Sequence, residues 1–552
     1  MGDSLITGIS PDTLRSWLVD GDELAVLDAR EQGAYFHSHL FHAVNAPLSR
    51  LELIIDGLVP RLDTRIVWSN ETDSGIDYLA SAKLAEWGWT NQYMLEGGLE
   101  AWASTGGELY SGMNVVSKAF GEIVEHRHGT PRIGPADLER RVADGEDLVI
   151  LDSRPMGEFR RRSIPGGVAC PGAELVYRVA EVAPDPSTTV VVNCAGRTRS
   201  IIGAQSLINA GVPNPVVALE NGTMGWELAG LSSARGVQDH APNPGVEAEQ
   251  WAVSAAASVG ARYGVVTISR TTLAQWQADL HRTTYLFDVR TPGEYEASHL
   301  RGAAHAEGGQ LVQATDEYMG TRNARVVLVD DNGVRATMTA SWLRQMGWDD
   351  AVVLDSRELV GPDNTHMVKG KSPRSPRASV SVPTIRPDEL AGRLKKPAEN
   401  PGLAVIDVGS NEKYRIRGHI PGAWWAIRSR LAEARSVIGD AATVVFTSSD
   451  ATIARLAARD AASHWPDAEI LALAAGNKGW RHAGHEMNTG FDRATTRAED
   501  LWPKPYDHPD DIDDTGNVDE STRDQRKRDY LTWETGLVEQ LERDPTVKFT
   551  SY

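Results

Sequence analysis

The chain carries two cysteines, Cys170 and Cys194, and one of them stands where a nucleophile could work. Cys194 follows Val190-Val191-Val192-Asn193, a β-branched apolar run that reads as a buried strand. It precedes Ala195-Gly196-Arg197-Thr198-Arg199-Ser200, where a helical pattern begins and runs to Ala210. A strand, a short loop and a helix start would set the thiol among exposed backbone N–H groups, near the partial positive charge of a first helical turn, with two guanidinium groups at hand. Each of these favours thiolate over thiol. An inert core cysteine would be poorly served by a neighbouring glycine and two arginines. Cys170, in Ala169-Cys170-Pro171, reads as a small buried residue rather than a resolving thiol.

The elements that must position Cys194 recur along the chain. An apolar strand ending in aspartate appears at Leu24 to Asp28, Leu148 to Asp152, Tyr285 to Asp288 and Ala404 to Asp407. These aspartates are a domain length apart. A glycine-rich turn leading to tryptophan follows at Gly97-Gly98 to Trp102, Asn221-Gly222 to Trp226 and Gly476-Asn477 to Trp480, at nearly constant distance from the aspartate. The third copy lacks the tryptophan and ends in Val352-Val353-Leu354-Asp355-Ser356-Arg357. Between the markers, short apolar strands alternate with amphipathic stretches such as Tyr78 to Trp87, Thr337 to Met346 and Thr452 to Ser463. Such alternation predicts small α/β units, each a mainly parallel sheet covered by helices, with any site at the C-terminal ends of the strands.

The pairing of Asp-x-Arg with Glu-Tyr or Glu-Phe and a His-Ile-Pro-Gly-Ala type turn resembles the rhodanese, or thiosulfate sulfurtransferase, family. The turn reads His419-Ile420-Pro421-Gly422-Ala423 in the fourth unit, Ser163-Ile164-Pro165-Gly166-Gly167 in the second and His299-Leu300-Arg301-Gly302-Ala303 in the third; the first keeps His39-Leu40. The loop Cys194 to Arg199 resembles that family's active loop, and the chain resembles its four-domain members. The resemblance implies four tandem domains: residues 1–112, 118–236, 262–368 and 380–490. A tail over 491–552 follows, in which Leu531, Trp533, Leu537 and Leu541 give Tyr530 to Glu542 a helical period, read as a docking helix. The resemblance also implies that Cys194 carries a persulfide. The sulfur would come from thiosulfate and pass to cyanide or an acceptor thiol in two half-reactions. Backbone N–H groups of Ala195, Gly196, Arg197, Thr198, Arg199 and Ser200 would hold the terminal sulfur, and Arg197 and Arg199 would attract the donor dianion. Arg154 is a further anion contact or, equally, a structural partner of a carboxylate such as Glu158.

An ungapped step from Asp152 to Cys194 lands on Asn70, Asp330 and Ser449 in the other units, and a slip of one residue reaches Ser69, Asp331 or Ser448. None is a thiol, so the first, third and fourth units are expected to be inactive. Asp330 to Arg335 keeps the spacing of Cys194 to Arg199, which leaves the third unit as a candidate anion binder.

Bulk composition narrows the partners. Lys+Arg of 56 against Asp+Glu of 76 gives a net charge of −20, which argues against nucleic acid or an anionic membrane surface. Two cysteines make no disulfide framework, and no apolar run has membrane length; the expected home is the cytoplasm. The partners are a small anionic sulfur donor and a thiol or cyanide acceptor, a homodimer is allowed, and no cofactor is called for. Neither His37, His39 and His42 nor His126 and His128 have ligand-spaced companions, so no metal is expected. Asp511 to Gly516 resembles the start of a calcium loop but reaches Thr522 where a glutamate is needed. Ser117 to Thr130 and Lys369 to Val382 read as connectors, Glu247 to Val259 as a helical one, and Asp507 to Glu520 as a solvated acidic loop.

Three alternatives remain. A phosphatase or arsenate reductase wants five residues between cysteine and arginine, whereas four separate Cys194 from Arg199, which favours a compact sulfur over phosphate. The donor could be 3-mercaptopyruvate. Or Cys194 could serve a persulfide-carrying relay scaffolded by three inert units.

Overall fold

Each aspartate-terminated run forms a strand inside a sheet: Leu24–Asp28, Leu148–Asp152, Thr284–Asp288 and Leu403–Asp407. The computed structural model describes residues 6–69, 75–359, 366–371, 380–449, 451–506 and 519–550. Among them stand four five-stranded sheets of one strand order. In the second unit that order is Arg132–Ile133, Val216–Leu219, Thr189–Asn193, Leu148–Asp152 and Val168–Ala169, every pair parallel. Parallel neighbours need crossover connections, and the helices between strands supply them while covering the sheet. The readings over Asp511 to Gly516 and over most of Lys369 to Val382 lie outside the described residues.

The Asp-x-Arg signature is a clamp. Arg30, Arg154 and Arg290 each place Nη2 2.6 Å from the carboxylate of Asp28, Asp152 and Asp288. Each also donates to a carbonyl beyond the next helix, on Ser38, Arg162 and Ser298, at 2.6 Å. The strand end is thereby tied to the following turn, which explains why the motif persists without a nearby thiol. Removing one partner of such a buried pair would cost about 3–5 kcal/mol. The fourth unit has Gly409 in place of the arginine. There Asp407 accepts from Gly409 N and Asn477 Nδ2, and burial pushes its carboxyl up to about 6. The recurrent histidines stack on tyrosines, His39 on Tyr35, His299 on Tyr295 and His419 on Tyr414, with ring centroids 3.7–3.9 Å apart. The recurrent tryptophans, Trp102, Trp226 and Trp480, donate Nε1–H to the carbonyls of Glu108, Ser232 and Glu486. These motifs hold the fold together.

The stretch read as a charged connector, Ser117 to Thr130, is instead the helix Val115–His128. Its Phe120 and Val124 join Ile201 and Ile202 of the second unit in the core of the third. Its charges misled because Lys118 and Glu122 are buried with the apolar residues of the helix, while only its C-terminal His126, Arg127 and His128 face outward. Val246–Arg262 forms the expected Ala-rich helix and buries Ala252, Ala255 and Val259 between Leu175 and Val179 of the second unit and Val334 and Met338 of the third. Second and third units therefore share continuous cores. The fourth unit docks on the first, where Arg428 meets Glu52 at 2.6 Å and Ser429 donates to Glu31 at 2.7 Å. The tail then returns to the second unit. Its helix, Glu520–Arg543, starts ten residues before the expected Tyr530, capped by Asp519, and lies against Val115–His128. Among the described residues no helix is long and apolar enough to cross a membrane.

Candidate active site

Thr189–Asn193 is buried along its whole length, and the chain leaves the sheet at Cys194 before entering the helix Thr198–Asn209. The loop between them is fixed by its carbonyls. Thr223 N donates to Cys194 O at 2.8 Å and Met224 N to Ala195 O at 2.9 Å. The glycine-rich turn exists to allow this approach: Gly222 has φ +55°, and a Cβ there would lie 2.4 Å from Cys194 O. With the carbonyls engaged behind the loop, its N–H groups are left over. Among the described residues no acceptor pairs with the backbone N–H of Ala195, Gly196, Arg197, Thr198, Arg199 or Ser200, the unfilled donors of a helix start. Cys194 is 2 % exposed, and its Sγ lies 3.5 Å from Ser200 Oγ, which itself donates to Arg197 O.

Cys194 borders a cavity of about 310 Å³. Arg199 faces it and is held by Glu158 at 2.8 Å and by Gln310 of the third unit at 3.2 Å. Lys504, from the tail, shares the same carboxylate at 3.1 Å. Burial alone would raise Glu158, but Arg199 and Lys504 override it and hold the carboxyl well below the usual range. Two cations therefore divide one anion beside the thiol, and an incoming anion finds net positive charge at that wall. Tyr530 and Glu534 of the tail helix close another side, and Thr198 Oγ1 donates to Glu534 Oε1 at 2.6 Å.

The two loop arginines part company. Arg197 spends its donors on the Val115–His128 helix, with Nε and Nη2 on Glu122 at 2.7 and 2.8 Å, a further bond to Glu125, and Nη1 on Asn221. It anchors the loop from behind. Arg154 is chelated by Asp152, so its partner carboxylate is not Glu158. Cys170 is fully buried with Leu151, Leu175 and Val176, and burial pushes its thiol up.

The corresponding positions elsewhere differ in chemistry and in surroundings. In the third unit Asp330 follows the strand Arg325–Val329, and its carboxylate accepts from Gly333 N at 2.6 Å and Ala336 N at 3.1 Å. Two of that loop's N–H groups are thereby taken by its own side chain. Arg335, 0 % exposed, is locked by Glu174, Glu294 and Asp331. These contacts oppose the anion binding expected there. In the fourth unit Ser448 takes the position, one residue before the ungapped Ser449; Asn70 of the first lies outside the described residues. Among the described residues no three metal-ligating side chains gather. His39 is committed to Tyr35 O, and His42 bonds Arg322 and Thr546.

The family model for the rhodanese-like domain matches residues 10–105, 134–229 and 270–356, just over half of the chain. The chain belongs to the rhodanese family. Its fourth unit, beyond those matches, repeats the rhodanese strand order. A crystal structure of thiosulfate sulfurtransferase from Pseudomonas aeruginosa superposes with a TM-score of 0.91 at 41 % identity, covering 99 % of both chains. A sulfurtransferase of Allochromatium vinosum is 29 % identical over 18 % of this chain and 90 % of its own length. A putative sulfur carrier protein of Bacillus subtilis is 29 % identical over 23 % of this chain and 72 % of its own. An HTH-type transcriptional regulator of Mycobacterium tuberculosis matches at 34 % identity, and there this chain spans 45 % of the relative's length.

Sequence reasoning found the loop but missed the rest of the cavity wall: Lys118, Gln310, Gln313, Lys504, Tyr506 and Tyr530. These come from the interdomain helix, the third unit and the tail. No spacing rule links residues so far apart, and the only signal available was the apolar face over Tyr530 to Glu542.

Proposed function

We propose that this rhodanese is a thiosulfate sulfurtransferase working through a Cys194 persulfide. One observation carries the reading: Cys194 opens a loop whose six following backbone N–H groups have no acceptor among the described residues, beside a cavity where Arg199 and Lys504 share Glu158. Thiosulfate enters as a dianion. The Cys194 thiolate attacks its outer sulfur, the S–S bond to the sulfonate breaks, and sulfite leaves with the electron pair. The anionic outer sulfur of the persulfide then accepts from the N–H groups of Ala195 to Ser200, which are preorganised and cost nothing to reorient. Cyanide or an acceptor thiol takes the outer sulfur in the second half-reaction and regenerates the thiolate, which makes the kinetics ping-pong.

The P. aeruginosa neighbour, alike over the whole chain, supports thiosulfate as donor. The relatives named for sulfur transfer and sulfur carriage support a thiol acceptor, and a cavity of about 310 Å³ has room for more than thiosulfate. The decisive test is intact mass after incubation with thiosulfate, beside Cys194→Ser. One added sulfur on the native chain, none on the variant, and its loss to cyanide as thiocyanate is the expected result. Loading by 3-mercaptopyruvate alone would replace the donor, and loading by neither would end the reading.

A further inference from the structure

We infer that Lys118, on the helix between the first and second units, is the residue that receives the sulfonate of the donor at Cys194 and stabilises departing sulfite. This rests on the thiosulfate reading above. The chain has two buried lysines among its described residues, and they are treated oppositely. Lys527, 2 % exposed, has Glu227 at 2.9 Å and Asp524 at 3.0 Å. Lys118, 8 % exposed, has no hydrogen-bond partner among the described residues; its nearest carboxylate oxygen, Glu534 Oε1, is 3.9 Å away and is already taken by Thr198 Oγ1 at 2.6 Å. The face of Tyr530 lies 5.2 Å from Nζ to the ring centroid.

An ammonium withdrawn from water without a close acceptor is costly unless an anion is expected there. Lys118 lines the cavity that holds Cys194, on a wall built by the interdomain helix, whereas Arg199 and Lys504 stand on the Glu158 wall. An anion attacked by Cys194 would lie between the two. The groups that face Lys118 are Glu534, Tyr530, Arg199, Lys504, Asp316 and Cys194 itself. Burial holds its ammonium below the ordinary lysine range, with Glu534 opposing that shift. The step balances without a co-reactant: Cys194 thiolate and thiosulfate dianion become Cys194 persulfide anion and sulfite dianion. The N–H donors of the Lys118 ammonium, without a hydrogen-bond partner among the described residues, can meet the charge that gathers on the sulfite oxygens as the S–S bond opens. Because Lys118 lies outside the matched rhodanese segments, it adds a contact that the domain alone does not supply.

The test uses the full chain as Lys118→Met and Lys118→Arg. Single-turnover persulfide formation is followed by intact mass with two donors, thiosulfate and inorganic polysulfide, which carries no sulfonate. Lys118→Met should slow loading from thiosulfate by roughly 10²-fold, with a smaller change for polysulfide, and Lys118→Arg should restore most of the loss. The wild-type kcat/KM for thiosulfate should fall on the alkaline side as Lys118 deprotonates, and that limb should move to higher pH in Lys118→Arg. Thiosulfate loading within twofold of wild type in Lys118→Met would overturn the assignment and leave Cys194 chemistry intact. An equal loss for both donors would also overturn it, since a damaged fold or thiol predicts that pattern. A wild-type chain that loads from polysulfide but never from thiosulfate would instead defeat the parent reading.

Discussion

The Cys194 loop and the Asp330 loop share a strand, a turn, a helix and the spacing to an arginine, yet one is open and the other is closed. At Cys194 the side chain is too short and too weak an acceptor to satisfy the surrounding N–H groups, so they stay available for an anion. At Asp330 a carboxylate, one bond longer and a strong acceptor, takes Gly333 N and Ala336 N. The arginines follow suit. Arg199 shares one glutamate with Lys504 at a cavity wall, whereas Arg335 is wrapped by three carboxylates with no exposed surface. A rhodanese site thus depends as much on what the loop leaves unsatisfied as on the thiol it carries.

The sharpest way to break that comparison is to close the open loop. Cys194→Asp should remove turnover by at least about 10³-fold in a thiocyanate-release assay, because the thiol is gone and the new carboxylate fills the ring. Next comes the division between the arginines. Arg197→Gln should cost about 3–5 kcal/mol of stability by leaving Glu122 buried and unpaired, read as a lowered chemical-denaturation midpoint. Arg199→Gln should lower kcat/KM for thiosulfate by roughly 10–10²-fold, with a smaller effect on stability. Equal behaviour of the two would erase the distinction between anchor and anion contact.

Smaller effects probe the closed loop. Burial pushes Asp330 up to about 6. A carboxyl raised on folding contributes stability that is complete below its unfolded pKa and is lost as pH climbs through the folded one. Unfolding free energy should therefore fall by about 1.4 kcal/mol between pH 5 and pH 8 from this group, and Asp330→Asn should flatten that part of the profile in denaturation series. The smallest expected effect is none: Asp330→Cys should gain no sulfur from thiosulfate by intact mass, since Arg335 stays locked. Sulfur gain there would mean that a thiol on this fold is sufficient.

Much of this was legible in the chain because it is local. The β-branched run before Cys194, the Asp-x-Arg clamps and the glycine turns each act over a few residues, and their repetition marked four units before any geometry was known. Local patterns also showed that three units lack a thiol. They did not show that Thr223 N, just after Asn221-Gly222, donates to Cys194 O, nor that Arg197 turns away from the cavity towards Glu122. Side-chain direction is set by partners that sequence spacing does not name.

The amino-acid sequence by itself determined the repeated α/β unit and the strand-to-helix loop that carries Cys194, since periodicity and backbone chemistry at a helix start need no distant information. Only the tertiary structure decided which charged groups share the cavity with Cys194. Lys118, Lys504 and Glu534 reach it from a helix read as a connector and from a tail that folds back across the chain. Electrostatics acts through space and falls with distance between charges, not with separation along the chain, so the partners of the thiol could be known only once the four units and the tail were packed.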